Sequence, residues 1–188
     1  MATKERVAVF IDGSNFFYKL RDKEIGIQNT NQFNYLGLAK WLTRNRKIVF
    51  LGYYVGVVRA KPDNKKGQAL RREQQKLFSH LETQKFTIKR GYLMKSGGTY
   101  HEKGVDVHLS VDLLSGAYEK QYDTAILISS DTDLIPVIEK IKTIGNNVEY
   151  IGFSHKSSLA LQRFATLSRL LIRDELLPFE FSKKKQNT

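Results

Sequence analysis

Residues 7–15 read Val-Ala-Val-Phe-Ile-Asp-Gly-Ser-Asn, a continuous apolar run that ends in a polar turn. Residues 124–133 repeat the pattern as Thr-Ala-Ile-Leu-Ile-Ser-Ser-Asp-Thr-Asp. Apolar runs of this length predict parallel strands that are buried on both faces. The second run leads into apolar residues at helical spacing, with Pro136 tolerated in the first turn and Gly145 as the stop. A further strand over residues 148–153 completes a β-α-β unit.

The remaining sequence continues the alternation of strands and helices. It predicts helices over residues 16–24, 35–44, 64–84 and 157–164, strands over residues 48–58, 86–94 and 170–172, and a loop over residues 96–99. This order predicts an α/β fold with a mostly parallel sheet. Residues 105–113 are ambiguous, because they alternate apolar and polar residues, which taken alone favours a strand.

Length and composition exclude several classes of protein. The 188 residues predict one domain over residues 1–178, followed by a basic, flexible tail over residues 179–188. The absence of cysteine excludes disulfides, thiol catalysis and cysteine-type zinc sites. No apolar run approaches the roughly 18 residues of a membrane span, and no signal-peptide core follows the first methionine. We therefore expect a soluble cytoplasmic protein without a membrane partner.

Charge gives the first indication of a partner. The chain carries 31 Lys and Arg against 19 Asp and Glu, a formal net charge of +12. The segment over residues 59–95, called the basic segment below, holds 11 basic and three acidic residues, a local charge of +8. Such an excess favours a polyanionic partner, most simply nucleic acid, whereas the alternative is a solvated helix face on a basic protein.

Acidic residues end both buried strands. Asp12 and Asp131 would lie about 5 Å apart if their strands are neighbours, and two carboxylates at that distance repel each other unless a cation bridges them. Asp133 and Asp106 could complete the cluster. The carboxylates of this cluster would offer hard oxygen ligands and no thiolate, so Mg²⁺ or Mn²⁺ is the expected metal ion.

Each of these residues also has a plain structural interpretation. Asp131 and Asp133 could cap the following helix, Asp12 could belong to a turn, and Asn15 could cap a first helical turn. Asp112 is more often a solvated helix residue. The four histidines show no metal-ligand spacing as a group. Base stacking is conceivable for four tyrosines, of which at least two are expected in the core: Tyr53, Tyr54, Tyr92 and Tyr100.

Three motifs together carry a family resemblance: residues 9–15, residues 103–107 (Lys-Gly-Val-Asp-Val) and residues 128–136 (Ile-Ser-Ser-Asp-Thr-Asp-Leu-Ile-Pro). In this order the sequence resembles the NYN domain family, most of all the LabA-like branch of the PIN-like nucleases. The resemblance implies a three-layer α/β/α sandwich with parallel strands in the order 3-2-1-4-5. It also implies a helix over residues 104–118, although the alternating pattern favours a strand there.

The resemblance further implies a metal-dependent ribonuclease. Asp12, Asp106 and Asp131 would be the metal-site residues, with Asp133 nearby. The residues that would assist the phosphate or order the site are Asn15, Ser130 and Lys103. Asp112 matches a recurrent acid of the branch. Ser130 stands where the family often has glycine, which would suit a positive φ.

The sequence thus predicts a Mg²⁺- or Mn²⁺-dependent endoribonuclease with Asp12, Asp106, Asp131 and Asp133 as catalytic residues. Asp133 would bind the metal through water or act as a base. The basic segment, including Arg71, Arg72 and Arg90, would bind the RNA backbone, with single strands favoured.

Two other functions remain open. The first is a non-catalytic RNA-binding module of the same fold. The second is a small-molecule phosphatase, which an Asp-x-Asp pair at the first strand would favour, but Asp12-Gly13-Ser14 lacks the second aspartate and no phosphate loop is present. A homodimer is likewise left open.

Overall fold

The computed structural model describes residues 4–60, 62–96 and 99–181, and of residues 93–96 and 99–102 it describes the backbone. The strands are β1 (Arg6–Asp12), β2 (Lys47–Val57), β3 (Thr87–Ser96), β4 (Thr99–Lys103), β5 (Thr124–Ile128), β6 (Asn147–Phe153) and β7 (Leu167–Leu171). The helices are α1 (Gly13–Arg21), α2 (Tyr35–Thr43), α3 (Lys65–Thr83), α4 (Val105–Tyr118), α5 (Ile135–Ile144), α6 (Leu159–Phe164) and α7 (Arg173–Leu176).

One mixed sheet organises the described residues, with strand order β4-β3-β2-β1-β5-β6-β7. All neighbouring pairs are parallel except β3 with β4. The predicted α/β/α class is confirmed. The predicted order 3-2-1-4-5 corresponds to β3-β2-β1-β5-β6 of the sheet. The prediction is incomplete, because β7 adds a sixth parallel strand at one edge and β4 adds an antiparallel strand at the other.

The sheet is covered on both faces, as the continuous apolar strands require. On β1, Val7, Val9 and Ile11 point into the core that is shared with α1, α2, α3 and α7. Ala8 and Phe10 point into the opposite core, shared with α4, α5 and α6. All five of these side chains are buried. A charge at any of them would enter one of the two cores, which explains the absence of polar residues from the run.

Residues 105–118 form the helix α4, so the strand interpretation of their alternating pattern is wrong. Val105, Leu109 and Leu113 recur every four residues and are buried against the sheet. Val107 and Val111 account for the alternation, and both lie exposed on the other side of the helix. Packing against the sheet decides the outcome, because the spacing of four places one apolar stripe on the core.

The turns around α5 follow the sequence prediction. Pro136 lies in the first turn of the helix, where its missing N–H costs no hydrogen bond. Gly145 ends it with φ of 101°, a left-handed conformation that favours glycine. At the other edge of the sheet, the sequence patterns do not predict the antiparallel strand β4. Gly97 and Gly98, the centre of the predicted loop over residues 96–99, lie outside the described residues.

Residues 179–181 begin at the end of the last helical turn (Leu177–Phe179) and contact the body of the domain. Asn34 donates its backbone N–H to the Phe179 carbonyl at 2.7 Å, and Phe33 forms an isolated antiparallel bridge with Glu180. The rest of the predicted tail, residues 182–188, lies outside the described residues. Within the described ranges, no helix has the length and apolarity needed to cross a membrane.

Candidate functional site

A hollow opens where the carboxyl ends of β1 and β5 meet. These strands are neighbours, with Ile11 opposite Ile128, and the chain leaves them toward opposite sides of the sheet. Such a switch point is where open α/β sheets bind ligands. The hollow, called the acidic hollow below, measures about 360 Å³ and is lined by Asp12, Ser14, Asn15, Tyr18, Val105, Asp106 and Asp131.

Asp12 is the most buried acid of the hollow, with only 7% of its surface exposed. It caps α1, because one carboxylate oxygen (Oδ1) accepts the backbone N–H of Asn15 at 3.0 Å. The other oxygen (Oδ2) accepts the hydroxyl of Ser129 at 2.9 Å. These two hydrogen bonds therefore hold the carboxylate in one orientation at the carboxyl end of β1.

The loop after β5 is tied to the same carboxylate. The Ser129 hydroxyl, itself buried, accepts the backbone N–H of Asp131 at 3.1 Å. Asp131 in turn accepts the backbone N–H of Asp133 at 2.9 Å and caps the short helical turn Thr132–Leu134. A continuous chain of hydrogen bonds thus joins Asp12 to Asp131 and Asp133, although the three residues come from two distant segments.

Ser130 occupies the position at which the family often has glycine. Among the described residues, the non-glycine positions with positive φ are Arg44, Asn45, Lys85 and Lys120, so Ser130 adopts an ordinary conformation. Its hydroxyl accepts the side-chain amide of Asn15 at 2.6 Å. The serine therefore links α1 to the β5 loop instead of straining the backbone.

Asp106 reaches the hollow from the first turn of α4. The helix begins after Gly104, whose φ of 81° turns the chain out of β4. Gly91 on β3 gives the necessary room, since a Cβ there would lie 2.5 Å from Val105 and 2.7 Å from the Lys103 carbonyl. An acid in the first turn is also favoured by the helix dipole.

The other predicted acids lie apart from these three. Asp133 is exposed and does not line the hollow. Asp112 lies farther along α4, at a separate cavity of about 380 Å³, and accepts the Tyr54 hydroxyl at 2.9 Å and the Lys89 ammonium at 3.0 Å. Burial, together with the charge of Asp112, raises the pKa of Tyr54. Asp112 is therefore a partner of Tyr54 and Lys89 and not of the acidic hollow.

The predicted basic ligands lie on β4, on β3 and on α3, outside the lining of the hollow. Lys103 is exposed where β4 passes into α4. Arg90 lies on β3 and packs its guanidinium over Phe78, 5.1 Å from the ring centre. Arg71 and Arg72 are exposed on α3. Only Asn15, among the predicted assisting residues, lines the hollow itself, with Ser130 bonded directly behind it.

The first half of α3, residues 65–76, is an exposed basic arm. Gly67 is the only buried residue among them, and the exposed cations are Lys65, Lys66, Arg71, Arg72 and Lys76. Gln74 anchors the arm to the end of β2, donating to the Gly56 carbonyl at 2.8 Å and accepting the Val58 N–H at 2.9 Å. Because α3 follows the carboxyl end of β2, the arm begins at the edge of the sheet that holds the hollow.

The donor set of the hollow suits a hard divalent cation, with carboxylate, hydroxyl and amide oxygens and no sulfur or imidazole. Over the described residues, no group of three or more His, Asp or Glu side chains is gathered closely enough to hold a metal ion. Mg²⁺ usually takes one or two protein carboxylates and keeps several waters, so it does not require such a cage. The residues present therefore fit Mg²⁺ or Mn²⁺ better than zinc.

The sequence patterns do not point to Ser129 or Tyr18 as residues of the site. Ser129 bridges Asp12 and Asp131. Its position directly after the apolar run could have indicated this role, because ligands bind at the carboxyl ends of the strands in such sheets. Tyr18 lines the hollow with 73% of its surface exposed, whereas Tyr53 and Tyr54 are buried as core residues. Tyr92 is half-exposed, and the side chain of Tyr100 is not among those described.

Comparison with known proteins agrees with this arrangement. A model of the NYN domain matches residues 6–169, which include all three motifs and every acid of the hollow. The chain belongs to the NYN domain family. This family has a nuclease-like PIN fold, consists generally of hydrolases with RNA-related roles, and typically uses divalent metals.

A solved structure has the same fold as this NYN domain. It is the crystal structure of a protein of unknown function from Vibrio parahaemolyticus, which is 21% identical. The match covers 93% of this chain and 97% of that chain, with a TM-score of 0.69. A comparison with curated proteins found no match.

Proposed function

We propose that this NYN domain is a divalent-metal-dependent endoribonuclease of the LabA-like branch. The observation that carries the proposal is the convergence of Asp12, Asp106 and Asp131 on one hollow beside an exposed basic arm, in a protein of net charge +12. An acidic hollow alone would repel a phosphate backbone. The arm supplies the opposite charge at the same edge of the sheet and can bind the backbone without reading its sequence.

The residues of the hollow have distinct parts in the proposed reaction. One or two of the carboxylates of Asp12, Asp106 and Asp131 would hold Mg²⁺ or Mn²⁺, and water would complete its coordination. When bound, such an ion activates water and neutralises charge that develops on the phosphate. Ser129 and the backbone N–H of Asn15 keep the two oxygens of Asp12 in a fixed direction, and the Asp133 N–H does the same for Asp131. Asp133 thus serves as a positioning residue through its backbone.

The reaction is a hydrolysis at phosphorus. Water attacks in line, the bond from phosphorus to the 3′ oxygen breaks, and the products are a 5′-phosphate and a 3′-hydroxyl. The side chain of Asn15, held by Ser130, lies at the wall of the hollow and can donate to a non-bridging phosphate oxygen. A single strand suits the site better than a duplex, because its backbone deforms more easily.

The test measures cleavage and binding separately. Labelled RNA and DNA oligomers are incubated with increasing Mn²⁺ and with the wild type, Asp12→Asn or Asp131→Asn. Asparagine keeps the capping oxygen but loses the charge, so we expect cleavage to fall by on the order of 100-fold or more while RNA binding persists or improves. Glu139→Gln, an exposed acid on α5, is the matched control and should cleave normally.

Absence of any metal-dependent cleavage by the wild type, with RNA binding retained, would favour the non-catalytic RNA-binding module. The observation that supports this alternative is that no three acids are gathered into a cage among the described residues. Cleavage of a small phosphate ester without cleavage of RNA would instead favour a phosphatase. A homodimer and a cytoplasmic location remain predictions; sedimentation of the purified chain tests the first.

A further inference from the structure

Tyr18 is an exposed aromatic residue at the wall of the acidic hollow. It lies in the second turn of α1, the helix that Asp12 caps, and 73% of its surface is exposed. The apolar face of α1 is formed by Phe16 and Leu20, both fully buried, so Tyr18 contributes nothing to the core. A single exposed aromatic residue is common on protein surfaces. The position of Tyr18 among the acids of a candidate ligand site, however, indicates a chemical role.

The ring of Tyr18 is braced from one side. Phe17 meets it edge to face, with ring centres 5.5 Å apart and an interplanar angle of 82°. The guanidinium of Arg21 lies over the Phe17 ring at 5.0 Å from its centre. Phe17, itself covered by Arg21, thus supports the tyrosine on the surface of α1. A braced ring loses little conformational entropy when a second flat group packs against it.

The surrounding charges favour an aromatic residue over a cation at this position. A lysine or arginine beside Asp12, Asp106 and Asp131 would pair with the carboxylates and compete with a metal ion. An aromatic face binds a nucleobase without carrying charge, and stacking accepts any base because every base has a flat face. Tyr18 can therefore add affinity for a nucleotide at a place where cations would impair the site.

We propose that Tyr18 is a stacking platform for one unpaired base next to the scissile phosphate, and so selects single-stranded over double-stranded RNA. This inference rests on the proposed nuclease function and deepens it. A base in a duplex is already stacked between its neighbours and paired across the helix, so it cannot reach the platform without unpairing. Unpaired bases in single strands and loops can be splayed out onto aromatic side chains.

Binding in EDTA tests the platform apart from cleavage. Fluorescence anisotropy is measured with a single-stranded RNA oligomer and with a series that carries one abasic nucleotide at each position in turn. We expect Tyr18→Ala to weaken binding of the intact oligomer about tenfold, which corresponds to the loss of one stacked base. Tyr18→Phe should retain the affinity. Tyr118→Ala, which removes a similarly exposed tyrosine at the far end of α4, should have no effect.

The abasic series identifies the stacked base. In an oligomer just long enough to span the arm and the hollow, so that it cannot shift register, an abasic nucleotide at one position should weaken binding to the wild type about tenfold. The same nucleotide should not weaken binding to Tyr18→Ala, because the two changes remove the same stacking interaction. A blunt RNA duplex should bind the wild type and Tyr18→Ala equally. Tyr18→Leu, which keeps the apolar bulk, should behave as Tyr18→Ala, and circular dichroism of each variant should match the wild type.

The failure of this inference differs from the failure of the proposed function. If the wild type cleaves RNA with Mn²⁺ but Tyr18→Ala binds as tightly, with no position of the abasic series affected, the platform is wrong and the nuclease stands. If the wild type neither binds nor cleaves RNA, both proposals are wrong. Equal weakening of single-stranded and duplex binding by Tyr18→Ala would also overturn the platform.

Discussion

At the scale of single residues, the site depends on hydrogen bonds that cross between distant segments. Ser129 donates its hydroxyl to the Asp12 carboxylate and accepts the backbone N–H of Asp131, so one buried hydroxyl joins the Asp12 carboxylate to the backbone of the β5 loop. Asn15 forms a second hydrogen bond between these segments, because its side-chain amide donates to the Ser130 hydroxyl. Buried polar groups of this kind are specific because each would be costly to leave without a partner. The geometry of the hollow is therefore prepared before any ligand arrives.

His155 provides a prediction at the same scale. It follows β6, with about a tenth of its side chain exposed, and neither ring nitrogen has a hydrogen-bond partner among the described residues. Burial lowers its pKa from the ordinary 6.5, opposed by Asp22 at 3.9 Å and assisted by Lys19 and Lys156. The folded protein thus binds the proton less readily than the unfolded chain does.

The direction of the pH effect follows from this difference. Above pH 6.5 the ring is neutral in both states, and as the pH falls below 6.5 the unfolded chain gains the proton first, so the free energy of unfolding decreases. His155→Gln should remove this part of the slope, measured by urea unfolding between pH 7 and pH 5 (chosen to bracket 6.5). His108→Gln, an exposed histidine on α4, should keep it. Identical slopes for the wild type and His155→Gln would contradict the assignment.

At the scale of elements, α3 combines two functions along its length. Leu77, Phe78 and Leu81 in its second half are buried against the sheet, whereas the first half carries the exposed cations. The core contacts of the second half hold the helix, and Gln74 anchors the junction through two backbone hydrogen bonds. The helix can therefore keep its cations exposed without placing any charge in the core.

The arm predicts how binding responds to salt. The double variant Arg71→Ala/Arg72→Ala should weaken RNA binding by a similar factor for different sequences, and should lower the slope of log affinity against log salt by about one for each phosphate that the arginines no longer bind. Anisotropy titrations at several salt concentrations measure both quantities. Lys40→Ala/Lys140→Ala removes the same charge from exposed positions on α2 and α5 and should change the slope little. An unchanged slope for the arginine variant would contradict the role of the arm.

At the scale of the whole molecule, the fold places opposite charges at one edge. The topology brings Asp12 and Asp131 to the switch point, and the basic helix α3 begins at the same edge of the sheet. Carboxylates that share one hollow would repel each other when no cation is present. The proposed metal binding therefore predicts that the metal also stabilises the fold.

Thermal unfolding tests this coupling. In EDTA, Asp131→Asn should unfold at the same temperature as the wild type or higher, since it removes one repelling charge and keeps the capping oxygen. Added Mn²⁺ should raise the midpoint of the wild type, by an amount equivalent to about 2.7 kcal/mol at 100 times the dissociation constant. The rise should be much smaller for Asp131→Asn. Equal shifts for both proteins would place the bound metal elsewhere.

The sequence alone determined the fold class, the two central strands and the acids that end them. These features are local or repeat at short range: an apolar run buried on both faces leaves little choice of structure, and an aspartate directly after it must lie at the carboxyl edge of the sheet. The family resemblance added the helix over residues 104–118, although the alternating pattern of residues 105–113 by itself favours a strand.

Only the tertiary structure decided which acids share the hollow and what surrounds them. Asp133 and Asp112 have the same chemistry as Asp131 and Asp106 and lie only two and six residues away, yet they face solvent and Tyr54, respectively. The antiparallel strand β4, the Ser129 bridge and the place of Tyr18 in the wall of the hollow were likewise outside the prediction. The physical reason is that side-chain direction and the pairing of distant segments depend on how helices pack across the sheet, and no short stretch of sequence contains that information.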